Sequence, residues 1–495
     1  MSSALHPAPE AGGLAHLTTK RTRASVTGVA WNLATVAVAS ALALGVFLVT
    51  SRLLTPADFG AVALAVAIVA MVSMLVPVAF GEAVIQRAEL RPDHLDSVFW
   101  TVMAVGVALF AALAFAAPAI ADWTGTAILS DILPVLALRI PLDAAAAVPT
   151  ALVARRMQFR YTALRSALAN GVGAVVCIWL VLEGYALWAL VVSQLVNAVV
   201  ALVVTAWAAR WRPGLRVRTG ALAELRFFGL YAMGSRVLNQ ARLDQFALGL
   251  FLGAPVLGLF FFARRLFAML TDLTAGAFGP VANVLMASLQ AEPAKRRQAF
   301  HMASLASAGL AFPLFSGLAL VAPDAVPLVF GPQWAGAVFP LQCFAVMGLL
   351  AGIGIVQSAL IRNAGRPDWW FWYQAVVQLS TLLIIVALHP FGLHWIMAAL
   401  AVRAYLLWPF SAAKARAMLG LGWGDYFHSL RAPALATLAM VPAVLLAGTA
   451  DLPDGACLAL QVASGAAAYG TVLALLARGE IREALSLIRH RKDAP

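Results

Sequence analysis

The chain has 495 residues, 62% of them hydrophobic and 11% charged, with a mean hydropathy of +0.88 and a formal net charge of +12. That composition excludes a water-soluble protein of this size, and continuous Ala-, Leu- and Val-rich runs without period-two alternation exclude a closed β-barrel. The basic residues are dispersed over short loops and not gathered on one soluble face, which excludes nucleic acid as a partner.

A membrane-crossing helix needs about 20 apolar residues, and nearly the whole chain divides into such units. Cutting at charged, polar and Gly/Pro clusters predicts an all-α integral membrane protein of fourteen helices, over 26–50, 58–81, 96–118, 127–152, 163–183, 185–208, 227–252, 256–286, 300–321, 335–360, 370–388, 392–413, 432–449 and 456–477. The first run follows a polar tail ending in Lys20, Arg21 and Arg23 and, at about 25 residues, is too long for the apolar core of a cleavable signal. Before the second, Thr55-Pro56-Ala57-Asp58 reads as a helix start, with Thr as N-cap and Pro in the first helical position.

Lys and Arg concentrate in the N-terminal tail, the even-numbered loops and the C-terminal tail, while the odd-numbered loops hold Arg52 alone. By the positive-inside rule both termini are cytoplasmic. The predicted organisation is a cytoplasmic tail (1–25), a six-helix N-lobe (26–208), a basic linker (209–226), a six-helix C-lobe (227–413), a cytoplasmic loop (414–431), two added helices (432–477) and a basic tail (478–495). At an offset of 198 residues, Leu54, Gly60, Ala65, Met71 and Gly81 meet Leu252, Gly258, Ala263, Met269 and Gly279. An even number of helices per repeat keeps the orientation, so the lobes would be parallel repeats around a central cavity. Trp123, Trp188, Trp334 and Trp395 near one boundary, and Trp100, Trp211, Trp369 and Trp370 near the other, are expected in interfacial belts. Cys177, Cys343 and Cys457 lie in apolar segments without metal-ligand spacing and read as packing residues.

Six arginines fall inside the predicted spans: Arg139, Arg236, Arg242, Arg264, Arg265 and Arg403. Each would cost roughly 2.5–3.5 kcal/mol if it faced lipid, so they are expected to line an interior. Arg139 with Asp143, Arg236 with Asp244 and Arg265 with Asp272 have helical spacings that permit internal ion pairs. Three carboxylates cannot neutralise six cations, and the excess must meet an anion or a wide aqueous cavity. At 100° per residue Arg236, Gln240 and Asp244 share one stripe, which places this helix at the seam between lobes.

The stretches SRLLTPADFGAVAL from Ser51, GEAVIQR from Gly81, LDQFALGLFLGAPVLGLFFFARRL from Leu243 and NAGRP from Asn363 resemble the polysaccharide transporter branch of the multidrug, oligosaccharidyl-lipid and polysaccharide exporter superfamily. The resemblance implies a flippase of the bacterial inner membrane. Its cargo would be an undecaprenyl-diphosphate-linked oligosaccharide for O-antigen, capsule or exopolysaccharide assembly, moved by alternating access under a proton or sodium gradient, with no bound cofactor. Membrane lipids and other polysaccharide assembly proteins are the expected partners. The charge pattern fits independently, because Arg binds diphosphate through charge-assisted bonds. The six arginines are thus the candidate cationic lining, Asn32, Asn239, Gln240 and Gln357 the candidate polar contacts, and Asp143, Asp244 and Asp272 are open between ion pairing and ion coupling.

A cation-drug antiporter of the same superfamily would need acidic residues in excess, the reverse of what is present. A flippase for a lipid-linked peptidoglycan precursor shares the anionic logic. A membrane glycan polymerase or ligase needs carboxylates or His on an extramembrane surface, and the short odd-numbered loops carry isolated Asp residues without a paired site. The chain is therefore expected to be a transporter and not an enzyme, with no metal site.

Overall fold

The computed structural model describes residues 41–76, 91–214, 242–290 and 292–479, and the regular structure among them is helical. In chain order the helices are α1 (Ala41–Leu53), α2 (Pro56–Ser73), α3 (Pro92–Thr124), α4 (Leu129–Ala137), α5 (Arg139–Arg155), α6 (Phe159–Leu182) and α7 (Ala186–Ala209). They continue with α8 (Leu243–Ser288), α9 (Pro293–Phe330), α10 (Val338–Asn363), α11 (Pro367–Leu388), α12 (Leu393–Leu419), α13 (Trp423–Ala447) and α14 (Asp454–Leu476). Among the described residues, 12 helical segments are long and apolar enough to cross a membrane. In hydrocarbon the backbone must satisfy its own hydrogen bonds, which is why apolar runs of this length become helices. The chain is a multi-pass membrane protein.

The start of α2 follows its local sequence. Thr55 Oγ1 accepts from the Asp58 amide at 3.3 Å, Asp58 Oδ2 accepts from the Thr55 amide at 2.9 Å, and Pro56 fills the first helical position.

The 46 residues of α8 are not one rod. Gly253 has φ 79° and ψ 171°, a conformation open to glycine, and Pro255 follows it. Asp244 and Arg264 would stand about 30 Å apart on a straight helix, yet their side chains form an ion pair. The chain therefore reverses at Gly253, giving two antiparallel arms, as the predicted break between 252 and 256 requires.

The turns at residues 54, 125–128, 184–185, 253, 331–337 and 389–392 gather at one end of the molecule, the arginine-poor face. Arg52 Nε donates to the Val329 carbonyl at 2.7 Å and its Nη2 to the Leu328 carbonyl, so the lone arginine of the odd-numbered loops caps α9. Gln333 Nε2 and Trp334 Nε1 donate to the Ser51 carbonyl at 3.0 and 2.8 Å. Trp334 is fully buried, stacked on Phe262 at 4.2 Å and edge-on to Phe59 at 5.2 Å, and thus does not belong to an interfacial belt. Its indole N–H is satisfied internally, which makes burial inexpensive. Trp123 and Trp395 are exposed, as a belt requires. α2 crosses the second arm of α8 with Gly60 against Gly258. Together these contacts close the arginine-poor face between the first and second halves of the chain.

At the opposite end, Trp100 Nε1 donates to the Gly214 carbonyl at 2.7 Å, the Gly214 amide donates to Asp96 at 3.0 Å, and Arg297 Nε donates to the Leu419 carbonyl at 2.5 Å. α13 and α14 pack against α9 around a separate apolar core that includes Tyr426, Met440 and Tyr469.

Candidate functional site

Four of the intramembrane arginines come together. Arg139 at the start of α5 reaches Asp143 at 3.3 Å and donates from Nη1 to Gln194 Oε1 of α7 at 2.6 Å. Arg242, leading into the first arm of α8, approaches Gln245 Oε1 at 3.5 Å and lies within electrostatic range of both Arg139 and Arg265. Arg264 of the second arm pairs with Asp244 across the hairpin and also feels Arg242. The reversal at Gly253 thus supplies Asp244 with a partner, Arg264, that helical spacing did not offer; the expected Arg236–Asp244 pair lies outside the described residues. Arg265 feels Asp272 electrostatically but forms no direct ion pair among the described residues.

These groups occupy one level. Counted from the arginine-poor turn that bounds each membrane span (Leu129 for the span of α4 and α5, Gly253 for the two arms of α8), Arg139, Gln194, Asn197, Arg242, Asp244, Arg264 and Arg403 each lie eight to eleven residues in, and Asn170 lies twelve. At about 1.5 Å per residue that is roughly 12–18 Å deep, near the middle of a bilayer. Of the four clustered arginines, Arg242 and Arg265 have no carboxylate at contact distance among the described residues, and Arg265 is not buried by the protein. Two guanidiniums without a direct carboxylate partner beside two paired ones have the chemistry to bind an anion through charge-assisted hydrogen bonds.

Arg403 stands apart from this group. From α12 it donates through Nη1 to Ser380 Oγ at 3.3 Å, to Thr381 Oγ1 and to the Val377 carbonyl, all on α11, and its Nε is buried without a hydrogen-bond partner among the described residues. Gln357, predicted to offer a polar contact in the cavity, is instead buried. Its Nε2 donates to Tyr426 OH and its Oε1 accepts from Ser411 Oγ at 3.0 Å, so it ties α10 to α12 and α13. Arg236, Asn32, Asn239 and Gln240 lie outside the described residues. A cavity of about 560 Å³ lined by Asp58, Thr126, Tyr185, Trp188 and Ala254 opens at the arginine-poor face and does not include the arginines.

Sequence reasoning missed Asn170, Gln194 and Asn197. Their signal was present, since each is an amide deep inside an apolar run, but attention to charge passed over them. Asn197 Nδ2 donates to Asn170 Oδ1 at 2.9 Å, joining α6 to α7 next to the Gln194–Arg139 contact.

Known proteins can be set beside this geometry. The family model described as polysaccharide biosynthesis protein matches residues 49–339, more than half of the chain. The chain belongs to that family. As a member of the polysaccharide biosynthesis protein family it is 25% identical over 466 residues to the succinoglycan biosynthesis transport protein ExoT of Rhizobium meliloti (strain 1021), covering 90% of this chain and 91% of the relative. Its fold is similar to that of the lipid II flippase MurJ in an inward closed conformation, with a TM-score of 0.74, 14% identity and coverage of 91% of this chain and 99% of that one. An inward-facing multidrug resistance MATE family transporter of the MOP superfamily gives a TM-score of 0.56 at 16% identity, covering 77% of this chain and 95% of the other.

Proposed function

We propose that the protein moves an undecaprenyl-diphosphate-linked oligosaccharide from the cytoplasmic to the periplasmic leaflet of a bacterial inner membrane for surface polysaccharide assembly. The single observation carrying this reading is the cluster of Arg139, Arg242, Arg264 and Arg265 at one depth, with Arg242 and Arg265 lacking a direct carboxylate partner among the described residues. A diphosphate supplies the missing negative charge, and planar guanidiniums match its oxygens bidentately. The glycan shares the polar interior while the polyprenyl chain stays in lipid. Family membership and the transport function named for the Rhizobium relative support the same reading.

The proposed topology has fourteen crossings, two six-helix lobes and both termini in the cytoplasm, so that the closed arginine-poor face is periplasmic. Transport then requires the contacts of Arg52, Gln333 and Trp334 to part while the arginine-rich side closes behind the headgroup, an alternation driven by an ion gradient. Asp143 and Asp244 serve as arginine partners in this scheme, and Asp272, exposed and without a direct ion pair among the described residues, is the carboxylate left for coupling.

Deletion followed by lipid extraction tests the proposal. It predicts accumulated diphosphate-linked oligosaccharide, loss of a surface polysaccharide and a viable cell. Unchanged lipid pools and surface glycan would reject it, and lethality with accumulated peptidoglycan precursor would favour that precursor as cargo.

A further inference from the structure

A glycosyl diphosphate joins its first sugar directly to a phosphate, so any group that reads that sugar must stand within one side chain of the cations. Gln194 meets this condition, since its Oε1 accepts from Arg139 at 2.6 Å. Asn197 lies one helical turn further along α7 and is bonded at 2.9 Å to Asn170 of α6.

These amides do not face lipid. On α6 the exposed apolar residues Leu164, Leu168, Val172, Val175, Trp179 and Leu182 form the lipid stripe. At 100° per residue they span an arc of about 80°, and Asn170 stands about 120° or more from every one of them. Asn170 is nevertheless exposed, as are Ala163, Ser166 and Ala167 on the same side of α6 towards the arginine-rich end. An exposed amide at this depth that points away from the lipid stripe lines a water-accessible interior. Gln194 is likewise about 140° or more from Val199, Val203 and Trp207, the exposed apolar residues of α7.

Their hydrogen-bond capacity is only partly used. The Asn197–Asn170 bond leaves the Asn170 amide group as donor and the Asn197 carbonyl as acceptor, and Gln194 keeps its amide donors, each without a partner among the described residues. An interhelical amide pair that served solely as glue would be buried. One free donor beside one free acceptor matches adjacent sugar hydroxyls, each of which donates and accepts, and does not match an anion, which only accepts.

We propose that Asn170, Asn197 and Gln194 form a hydroxyl-reading subsite for the first sugar of the lipid-linked glycan, joined to the cation cluster through Arg139. This rests on the headgroup reading above and adds selectivity to it: the arginines hold the diphosphate and the amides distinguish a glycosylated lipid from a bare one.

The test is binding to the full-length protein in detergent, read by native mass spectrometry. One probe is undecaprenyl diphosphate, and the other is the diphosphate-linked oligosaccharide extracted from host cells lacking the protein. The wild type should prefer the glycosylated lipid by about tenfold, the net effect of one well-made hydrogen bond. Asn170→Ala and Asn197→Ser should each reduce that preference to about twofold or less while binding undecaprenyl diphosphate as the wild type does, which also shows that the variants are folded. An undiminished preference in both variants overturns the subsite and leaves the headgroup reading standing. Failure of the wild type to bind either lipid overturns the headgroup reading and the subsite together.

Discussion

Gly60 and Gly258 lie backbone against backbone where α2 crosses the second arm of α8. A Cβ placed on Gly60 would overlap the Ala254 carbonyl and stand 2.9 Å from the Gly258 nitrogen, while one on Gly258 would overlap the Pro56 carbonyl and stand 3.1 Å from the Gly60 nitrogen. Pro56 and Ala254, like Gly60 and Gly258, are separated by 198 residues. The contact is therefore reciprocal, as a two-fold relation between repeats demands. Neither position can accept a side chain without parting the helices. Gly60→Ala and Gly258→Ala should each lower stability by about 1–3 kcal/mol through overpacking. Gly171→Ala on α6, where a Cβ meets nothing within 4 Å, should be neutral or mildly stabilising. Thermal unfolding in detergent separates the three, and an unaffected Gly60→Ala variant would contradict the contact.

Arg52 holds the arginine-poor face shut by capping α9. Arg52→Ala removes that tie and leaves the α9 carbonyls to water, so the population should shift towards separation of residue 51 from residue 333. Spin labels at Leu53 and Ala335 should report a new, longer distance component in the variant. A distribution identical to wild type would show that Trp334 and its aromatic neighbours are sufficient for closure.

Asp244 and Arg264 pin the two arms of α8 together. Asp244→Asn should cost about 1–3 kcal/mol, the range for a charge-assisted bond between partly exposed groups. Exchanging the charges, Asp244→Arg with Arg264→Asp, should recover part of that loss. A double-mutant cycle on thermal stability measures the coupling; additive single effects would mean that the pair contributes nothing to the hairpin.

Gln357 offers a contrasting case, because its buried bonds to Tyr426 and Ser411 make it a fastener for α13 and not a contact for cargo. Gln357→Leu should lower stability by about 1–3 kcal/mol by stranding the Tyr426 hydroxyl, with polysaccharide export retained at permissive temperature. Loss of export in a variant of normal stability and abundance would return Gln357 to the cavity.

The sequence carried those features whose cause is local. The Thr55–Asp58 cap was legible because both partners sit within four residues, and the break at Gly253 because a Gly-Ala-Pro turn interrupts two apolar runs. Gly60 and Gly258 stood out as a matched pair at the 198-residue offset, and the structure supplies the reason that glycine is needed at both. What escaped depends on contacts between distant segments. Arg264 as a partner for Asp244 was invisible to helical spacing, because the hairpin at Gly253 is what brings the two together. Gln357 and Trp334 were placed by polarity and by position near a boundary, and packing buried both. The amides of α6 and α7 went unnoticed because a neutral side chain carries little weight in a count of charge.

On the proposed function, Arg242 and Arg265 receive the diphosphate of a lipid-linked oligosaccharide. The most direct measurement is the amount of that lipid in cells whose sole copy of the protein is Arg242→Ala with Arg265→Ala, inserted at wild-type abundance. The expected result is accumulation comparable to that of the deletion strain together with loss of the surface polysaccharide. Wild-type lipid levels and a complete surface polysaccharide would contradict it.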